Sequence, residues 1–523
     1  MRTIPAAVLR TGFALGVLLG LCLAPASLRA AGPEAWVPAR WDGGPLEAAR
    51  RARDKTPPGP EVRDAIAKWY DPATLGLLDG TPVNCLLLTL SGGAAPEIER
   101  QQRPLVSQYA RKARGRGLAV LGLVYPGADP STVAEAAAQA QLDGVVLEGE
   151  FPSGIGFVDK LRKALRARGS NALVIPVASS AGPLRKAAWP VLAVEGVVPG
   201  VGKLEEGATA SATAGLWIDS NMWLVRSFRL DTSPRPVWLG HRTGAGSPDL
   251  YLRSIADAAA AGGRWILSID DSLRPTLLRR EAKALALWRN IGAFLAFFEK
   301  HAEWRNLAPF GAVAIILDTA GPRLDNTEEF LNLVARRQIP YRVIDRSRLS
   351  APALEGLRAV LAFDLAPPTE AERKVLRDFA SQGGLVLGGP AWGSPPKDQS
   401  YTVASVDQGE VAVYKDEAPD PQSVARDLND LLTTPDFGVS VFDAPSVLSY
   451  VSTNDAGSRM LIQMVNYADT PADALTIWVT RKFQTARLHT PESGPVELPV
   501  KRSGGRTQIV IPGLTVYGAL ELE

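Results

Sequence analysis

Gly144-Val145-Val146-Leu147-Glu148-Gly149-Glu150 is a short apolar run that ends in small and charged residues, and a helical stretch at 156–168 follows it. The same rhythm recurs along the first three-fifths of the chain. Runs at 84–91, 118–125, 144–150, 172–178, 191–197, 215–219, 236–242 and 265–271 share this texture. Stretches at 103–116, 130–141, 156–168 and 249–261, and 276–305 after the last run, carry helical periodicity or alanine-rich helix formers. Eight strands alternating with helices predict a closed parallel (β/α)8 TIM-like barrel over 32–308. The connection at 200–213 is rich in Gly, Ala and Thr and reads as a loop. That leaves an open doubly wound sheet as the structural alternative. The helix 276–305 carries Trp288, Phe294, Phe297, Phe298 and Trp304, an aromatic stripe suited to packing against the barrel and the next domain.

A second α/β unit is expected over 309–394. Its strands fall at 312–318, 341–345, 359–363 and 384–388, with helices at 326–337, 351–357 and 369–382. This resembles a small flavodoxin-like or glutaminase-like three-layer domain. Thr369 with Glu372 predicts a capping box, and Gly383-Gly384 closes the same helix. After Pro390 alternating segments dominate, at 411–414, 459–465, 475–480, 485–489, 508–511 and 517–522. They predict a C-terminal all-β sandwich over 395–523.

The N-terminus has the three parts of a secretory signal peptide, assigned to 1–31. Arg2 and Arg10 are the positive region, 11–24 is apolar, and Ala24-Pro25-Ala26 fits the small-x-small cleavage rule, with Ala30 or Ala31 as alternative ends. An uncleaved anchor and lipid attachment at Cys22 are the alternatives. The expected location is therefore secreted or periplasmic, with no stable membrane insertion after cleavage. Cleavage after Ala31 removes Arg2, Arg10 and Arg29 and no acid, taking the formal charge from +2 to −1. That balance asks for neither nucleic acid nor an anionic membrane. Cys85 is then the one cysteine left. No internal disulfide or cysteine metal site can form, and the core must hold the chain together.

Barrel, glutaminase-like domain and β-sandwich, in that order, resemble the family 42 β-galactosidases and related glycosyl hydrolases. The stretches that carry the resemblance are 311–318 with 379–386, and 461–467 with 511–517. It implies a hydrolase of glycosidic bonds. That family places an Asn-Glu acid/base at the end of the fourth strand and a Glu nucleophile on the seventh. On the strand count above, the fourth run, 172–178, has no carboxylate, and the seventh ends Gly240-His241-Arg242. The family's catalytic residues therefore do not transfer.

Barrel enzymes work at the C-terminal ends of their strands. Alternation along 144–150 puts Glu148 and Glu150 on the face of Val146, towards the barrel mouth, with Val145 and Leu147 on the helix side; alternatively each makes a rim salt bridge to a nearby Arg. The run 215–219 offers Trp217, Asp219 and Asn221 on one face, with Trp223 just beyond. Asp219 suits a base or nucleophile, Asn221 a hydroxyl contact, and the tryptophans suit stacking on a sugar ring. Alternatively Trp217 is core and Asp219 a helix cap. Asp270 shares the inward parity of Ser268, Asp271 is placed to cap the next helix, and Glu195, His241 and Arg242 end other strands. Glycoside hydrolysis needs two carboxyl groups flanking the scissile bond. The catalytic candidates are Glu148 or Glu150 paired with Asp219, then Asp270; the substrate-binding candidates are Trp217, Asn221, Trp223, His241, Arg242 and Glu195.

Other chemistries lack their motifs. The segment 196–203 approximates a phosphate loop, but its first Gly is one position off and Leu204 stands where Ser or Thr is required. His241, His301 and His489 are the only histidines, so no histidine zinc site is expected. No cofactor is expected. The partner is a carbohydrate, with self-association through the middle domain a further reading. The rival function is a non-catalytic carbohydrate-binding or scaffold protein on a hydrolase-like frame.

Overall fold

The computed structural model describes residues 32–523 apart from 153, 181–183, 185–187, 205–206, 209–215, 231–234, 242–246, 320, 322–324 and 455. The signal-peptide reading and Arg242 lie outside the described residues. Eight parallel strands close a barrel. They are β1 Pro38–Arg40, β2 Cys85–Ser91, β3 Ala119–Val124, β4 Gly144–Leu147, β5 Leu173–Ala178, β6 Leu192–Glu195, β7 Val237–Gly240 and β8, which has two parts, Arg264–Trp265 and Leu267–Ser268. The first part of β8 pairs with β7 and the second with β1, through Ala39 opposite Leu267 and Arg40 opposite Ser268.

The barrel is as expected, but its strand count differs at two places. The first strand is Pro38–Arg40, three residues with no apolar run to announce it. The run at 215–219 is not a barrel strand. Its described part, Ile218–Asp219, pairs antiparallel with Gly200–Val201 outside the barrel. Every strand from 84–91 to 191–197 therefore moves up one place, and the run at Gly144 becomes the fourth strand.

Two apolar layers follow the strand pleat. Cys85, Leu121, Leu123, Val146, Ile175, Ala193, Trp238 and Ile266 fill the barrel interior. Val145, Leu147, Val120, Leu192 and Leu239 face the helices. Cys85 is a fully buried free thiol, raised well above its ordinary pKa by burial. The aromatic helix is shorter than predicted: Leu273–Leu278 is a separate helix, Trp288, Phe294, Phe297 and Phe298 lie on Ala282–Lys300, and Trp304 lies on the short 3-10 helix Ala302–Asn306. Phe297 and Phe298 pack on Tyr517 of the C-terminal sandwich.

The second unit is a six-stranded sheet ordered Tyr341–Asp345, Val313–Leu317, Ala359–Ala362, Leu385–Gly388, Gly409–Tyr414, Tyr401–Val406. The first four strands follow flavodoxin-like order. The hairpin at its edge corrects the sequence reading, because the alternating segment at 411–414 pairs with Leu385–Gly388 rather than joining the sandwich. The Thr369–Glu372 capping box forms as predicted. The C-terminal sandwich packs two antiparallel sheets around Val439, Ile462, Ile477, Ile509 and Leu520. Among the described residues no helix is long and apolar enough to cross a membrane.

The parts are joined by buried polar contacts. Asp257, on helix Pro248–Ala260, accepts from Ser220 Oγ at 2.6 Å, Asn221 Nδ2 at 2.8 Å and Tyr467 Oη of the sandwich at 2.6 Å. Gln463 Nε2 donates to Ala260 O at 2.8 Å across the same seam. Arg226 lies 3.9 Å over Tyr341 and 4.6 Å over Tyr450, tying the barrel to both later units.

Candidate active site

The end of β4 sets the site. Val146 points into the barrel and Leu147 out, so Glu148 is the next inward side chain. The turn comes immediately after it. Gly149 has φ +98, and a Cβ there would press on Pro126 at 3.0 Å. Strand alternation therefore stops at Glu148. Glu150 stands exposed on the loop beyond, not on the Val146 face that a continued strand would have given it.

Glu148 Oε2 is ion-paired with Arg40 Nη2, which reaches it from β1. Arg40 Nη1 lies 3.5 Å from Tyr125 Oη and 3.9 Å from Asp42 Oδ2. Burial would lower the Arg40 pKa, but Glu148, Tyr125 and Asp42 more than offset it and raise it above the ordinary arginine value. Asp42 is held below the usual carboxylate range against its burial, chiefly by Arg274 at 2.6 Å and then Arg40. Beneath them, buried Glu47 accepts from Thr89 Oγ1 at 3.0 Å, Arg50 Nε at 3.1 Å and Tyr125 Oη at 3.4 Å. Burial, then Glu47 and Glu148, push the Tyr125 phenol far up, so it stays a proton donor. One side of the mouth is thus a fixed lattice of alternating charge in which Glu148 is the half-buried outermost acid. Among the described residues its Oε1 takes no hydrogen bond.

Across the mouth, Glu195 ends β6 with the inward parity of Ala193 and is exposed. It pairs in register with Gly240. His241 follows, half-buried. Asp270 is inward but engaged. Its Oδ1 accepts from Ser272 N at 2.7 Å and Leu273 N at 2.8 Å, and Tyr251 Oη donates to Oδ2 at 2.5 Å. Asp270 therefore caps the following helix, and Asp271, expected to do so, pairs with Arg51 at 2.7 Å.

The group at 217–223 is placed elsewhere. Trp217 Nε1 donates to Asp219 Oδ1 at 3.1 Å, and the Arg336 guanidinium lies 3.5 Å over the Trp217 ring. Both residues therefore sit against the α/β unit, not on a barrel strand. Asn221 Nδ2 donates to Val197 O at 2.9 Å and is buried with Asp257. Trp223 packs between the barrel core and the α/β core. The structure brings Glu148 and Glu195 to one mouth, with Glu150 at its rim, and shows no contact between Glu148 and Asp219.

Arg40, Asp42, Glu47, Tyr125 and Arg274 were not singled out from sequence. Tyr125 was within reach, since Leu121, Leu123 and Tyr125 share one parity. Arg40 and Asp42 became visible only with β1. Among the described residues no group of three or more His, Cys, Asp or Glu is placed to hold a metal ion.

No protein-family model matches the chain, and no curated protein matches it. Solved structures do. An α-L-fucosidase isoenzyme from Paenibacillus thiaminolyticus superposes with a TM-score of 0.59 at 13% identity, over 86% of this chain and 95% of that one. The GH42 β-galactosidase Gan42B gives 0.55 at 10% identity, over 94% and 98%. A catalytic mutant of Gan42B from G. stearothermophilus gives 0.53 at 10%, over 95% and 100%. The chain has a glycoside hydrolase-like fold; identities this low establish the fold and nothing finer. On the structure's strand count Glu148 follows the fourth strand, but Leu147 stands before it where the family 42 pattern has Asn.

Proposed function

We propose that this protein is an exported glycoside hydrolase that cleaves a carbohydrate with carboxylates at the barrel mouth. The observation that carries the proposal is Glu148: inward, at the end of β4, gripped on Oε2 by Arg40, with no hydrogen bond to Oε1 among the described residues. Arg40 orients the carboxylate, so Oε1 can act as the general base on water without reorganisation. Glu195 is the partner carboxyl. β5 separates β4 from β6, so two strand spacings of about 4.8 Å put the backbones about 10 Å apart, and inward-leaning side chains then suit the wider separation of inverting enzymes, about 6.5–9.5 Å. Glu150 at the rim is the substitute if Glu195 is not the partner.

The test is turnover of a panel of aryl glycosides and polysaccharides. Glu148→Gln and Glu195→Gln should each lose about 10²–10⁴-fold in kcat. Asp219→Asn, set against Arg336, should keep most of the activity. Full activity in Glu148→Gln would sink the assignment. Export is supported by the N-terminal pattern alone and is checked by N-terminal sequencing of protein recovered outside the cytoplasm. Self-association through the α/β unit is checked by light scattering.

One observation favours a second reading, a non-catalytic carbohydrate-binding protein: β7 ends at Gly240, and neither it nor His241 after it carries a carboxylate. Saccharide binding without turnover of any substrate would select it.

A further inference from the structure

A cleft of about 450 Å³ lies where residues 216–218, the α/β unit and the sandwich meet. That volume is in the range of small-molecule sites. Trp217, Arg336, Arg337, Gln422, Phe442 and Asp443 line it. Arg336 is held in place, stacked on Trp217 and donating through Nε and Nη2 to Ile218 O at 3.2 and 2.9 Å. No carboxylate among the described residues bonds it, and burial lowers its pKa below the ordinary arginine value. Arg337 and Gln422 are partly buried, and neither side chain makes a hydrogen bond or ion pair among the described residues. Phe442 is 39% exposed, unusual for a residue of its size, and Asp443 beside it is exposed with φ +61. The wall therefore offers two guanidiniums, one carboxylate, an aromatic face and two amides, of which Gln338 is already bonded to Val447 O and Ser449 Oγ.

We propose that this cleft binds an acidic saccharide, a uronic-acid oligosaccharide being the class its side chains fit. The guanidiniums take the sugar carboxylate. Gln422 and Asp443 take hydroxyls, and Phe442 takes the apolar C–H face of a ring. A simple anion would leave the last three without a role. The proposal stands apart from the reading of Glu148, since binding here is measured without turnover.

The experiment is calorimetric titration of the full chain with tetragalacturonate, its methyl-esterified neutral counterpart, inorganic sulfate and tetraglutamate. Tetragalacturonate should bind at least about tenfold more tightly than each of the other three. Arg337→Gln should remove about tenfold of that affinity, and Phe442→Ala should weaken it too, with unfolding midpoints unchanged. Glu148→Gln should bind as the parent does, which places the ligand away from the barrel mouth. Four results would overturn the proposal: no binding, equal binding of the neutral ester, equal binding of sulfate or tetraglutamate, or loss of affinity in Glu148→Gln with none in Arg337→Gln.

Discussion

Asp257 is the group on which the barrel–sandwich seam turns. It is fully buried, and Ser220 Oγ, Tyr467 Oη, Asn221 Nδ2 and Asn221 N, the last at 2.9 Å, all donate to it. Replacing it by alanine strands these donors unequally. Ser220 and Tyr467 can still bond each other at 3.0 Å, and Asn221 Nδ2 keeps Val197 O. Asn221 N loses its acceptor in a buried site, at about 1–3 kcal/mol, and the weakened bonds add about 1 kcal/mol more. Burial raises the Asp257 pKa, so removing a disfavoured carboxylate returns part of the loss. The expected net cost of Asp257→Ala is about 2 kcal/mol. Tyr467→Phe alone should cost about 1 kcal/mol, because Asp257 keeps its other donors. The double variant should fall short of the sum by about 1 kcal/mol or more, since each single change already breaks the shared bond. The assay is urea unfolding followed by fluorescence and circular dichroism together, so that separate release of the sandwich shows as a second transition. Strict additivity, within about 0.5 kcal/mol, would refute the coupling.

The remaining predictions concern acid behaviour and local structure. His301 stacks on Trp304 at 4.1 Å and faces His489 at 5.4 Å, and burial, then His489, lowers its pKa. A base whose folded pKa is lowered stabilises fully above its ordinary value of 6.5 and loses that stability as pH falls below it. Glu521 adds to this: the His489 hydrogen bond, with Arg459, holds it at about 2, so its contribution is present above 4.5 and is lost as pH falls towards 2. Unfolding midpoints should therefore drop from pH 7 to pH 3, with a shallower slope below pH 6.5 in His301→Phe and below pH 4.5 in Glu521→Gln. Thr369→Ala should cost about 1 kcal/mol by opening the capping box, read as a shift in urea midpoint. Gly409→Ala should cost about 1–3 kcal/mol, because a Cβ there overlaps the Ala380 and Gly384 carbonyls.

Much of the fold was legible in the sequence because burial imposes periodicity. The runs at Cys85, Ala119, Gly144 and Leu173 are strands because both parities are apolar, one for the barrel interior and one for the helix layer. The same alternation turned Glu148 inward, and the Thr369–Glu372 spacing gave its cap. These are local relations, written in neighbouring residues. What decided the site is not local. Pro38–Arg40 is a strand because β2 and β8 flank it, not because three residues prefer to extend. Without it the strands were numbered one short, and Arg40, the partner of Glu148 across 108 residues, had no place. Trp217-Ile218-Asp219 has strand-like alternation, yet it meets Arg336 of another unit instead of a barrel neighbour. Gly149 ends the alternation by its positive φ, so Glu150 leaves the face it would otherwise share. The chain by itself determined which segments are buried and which way each strand's side chains alternate. Only the tertiary structure decided which segments become neighbours, and with them which acids face one mouth, because pairing between distant strands leaves no periodicity in either.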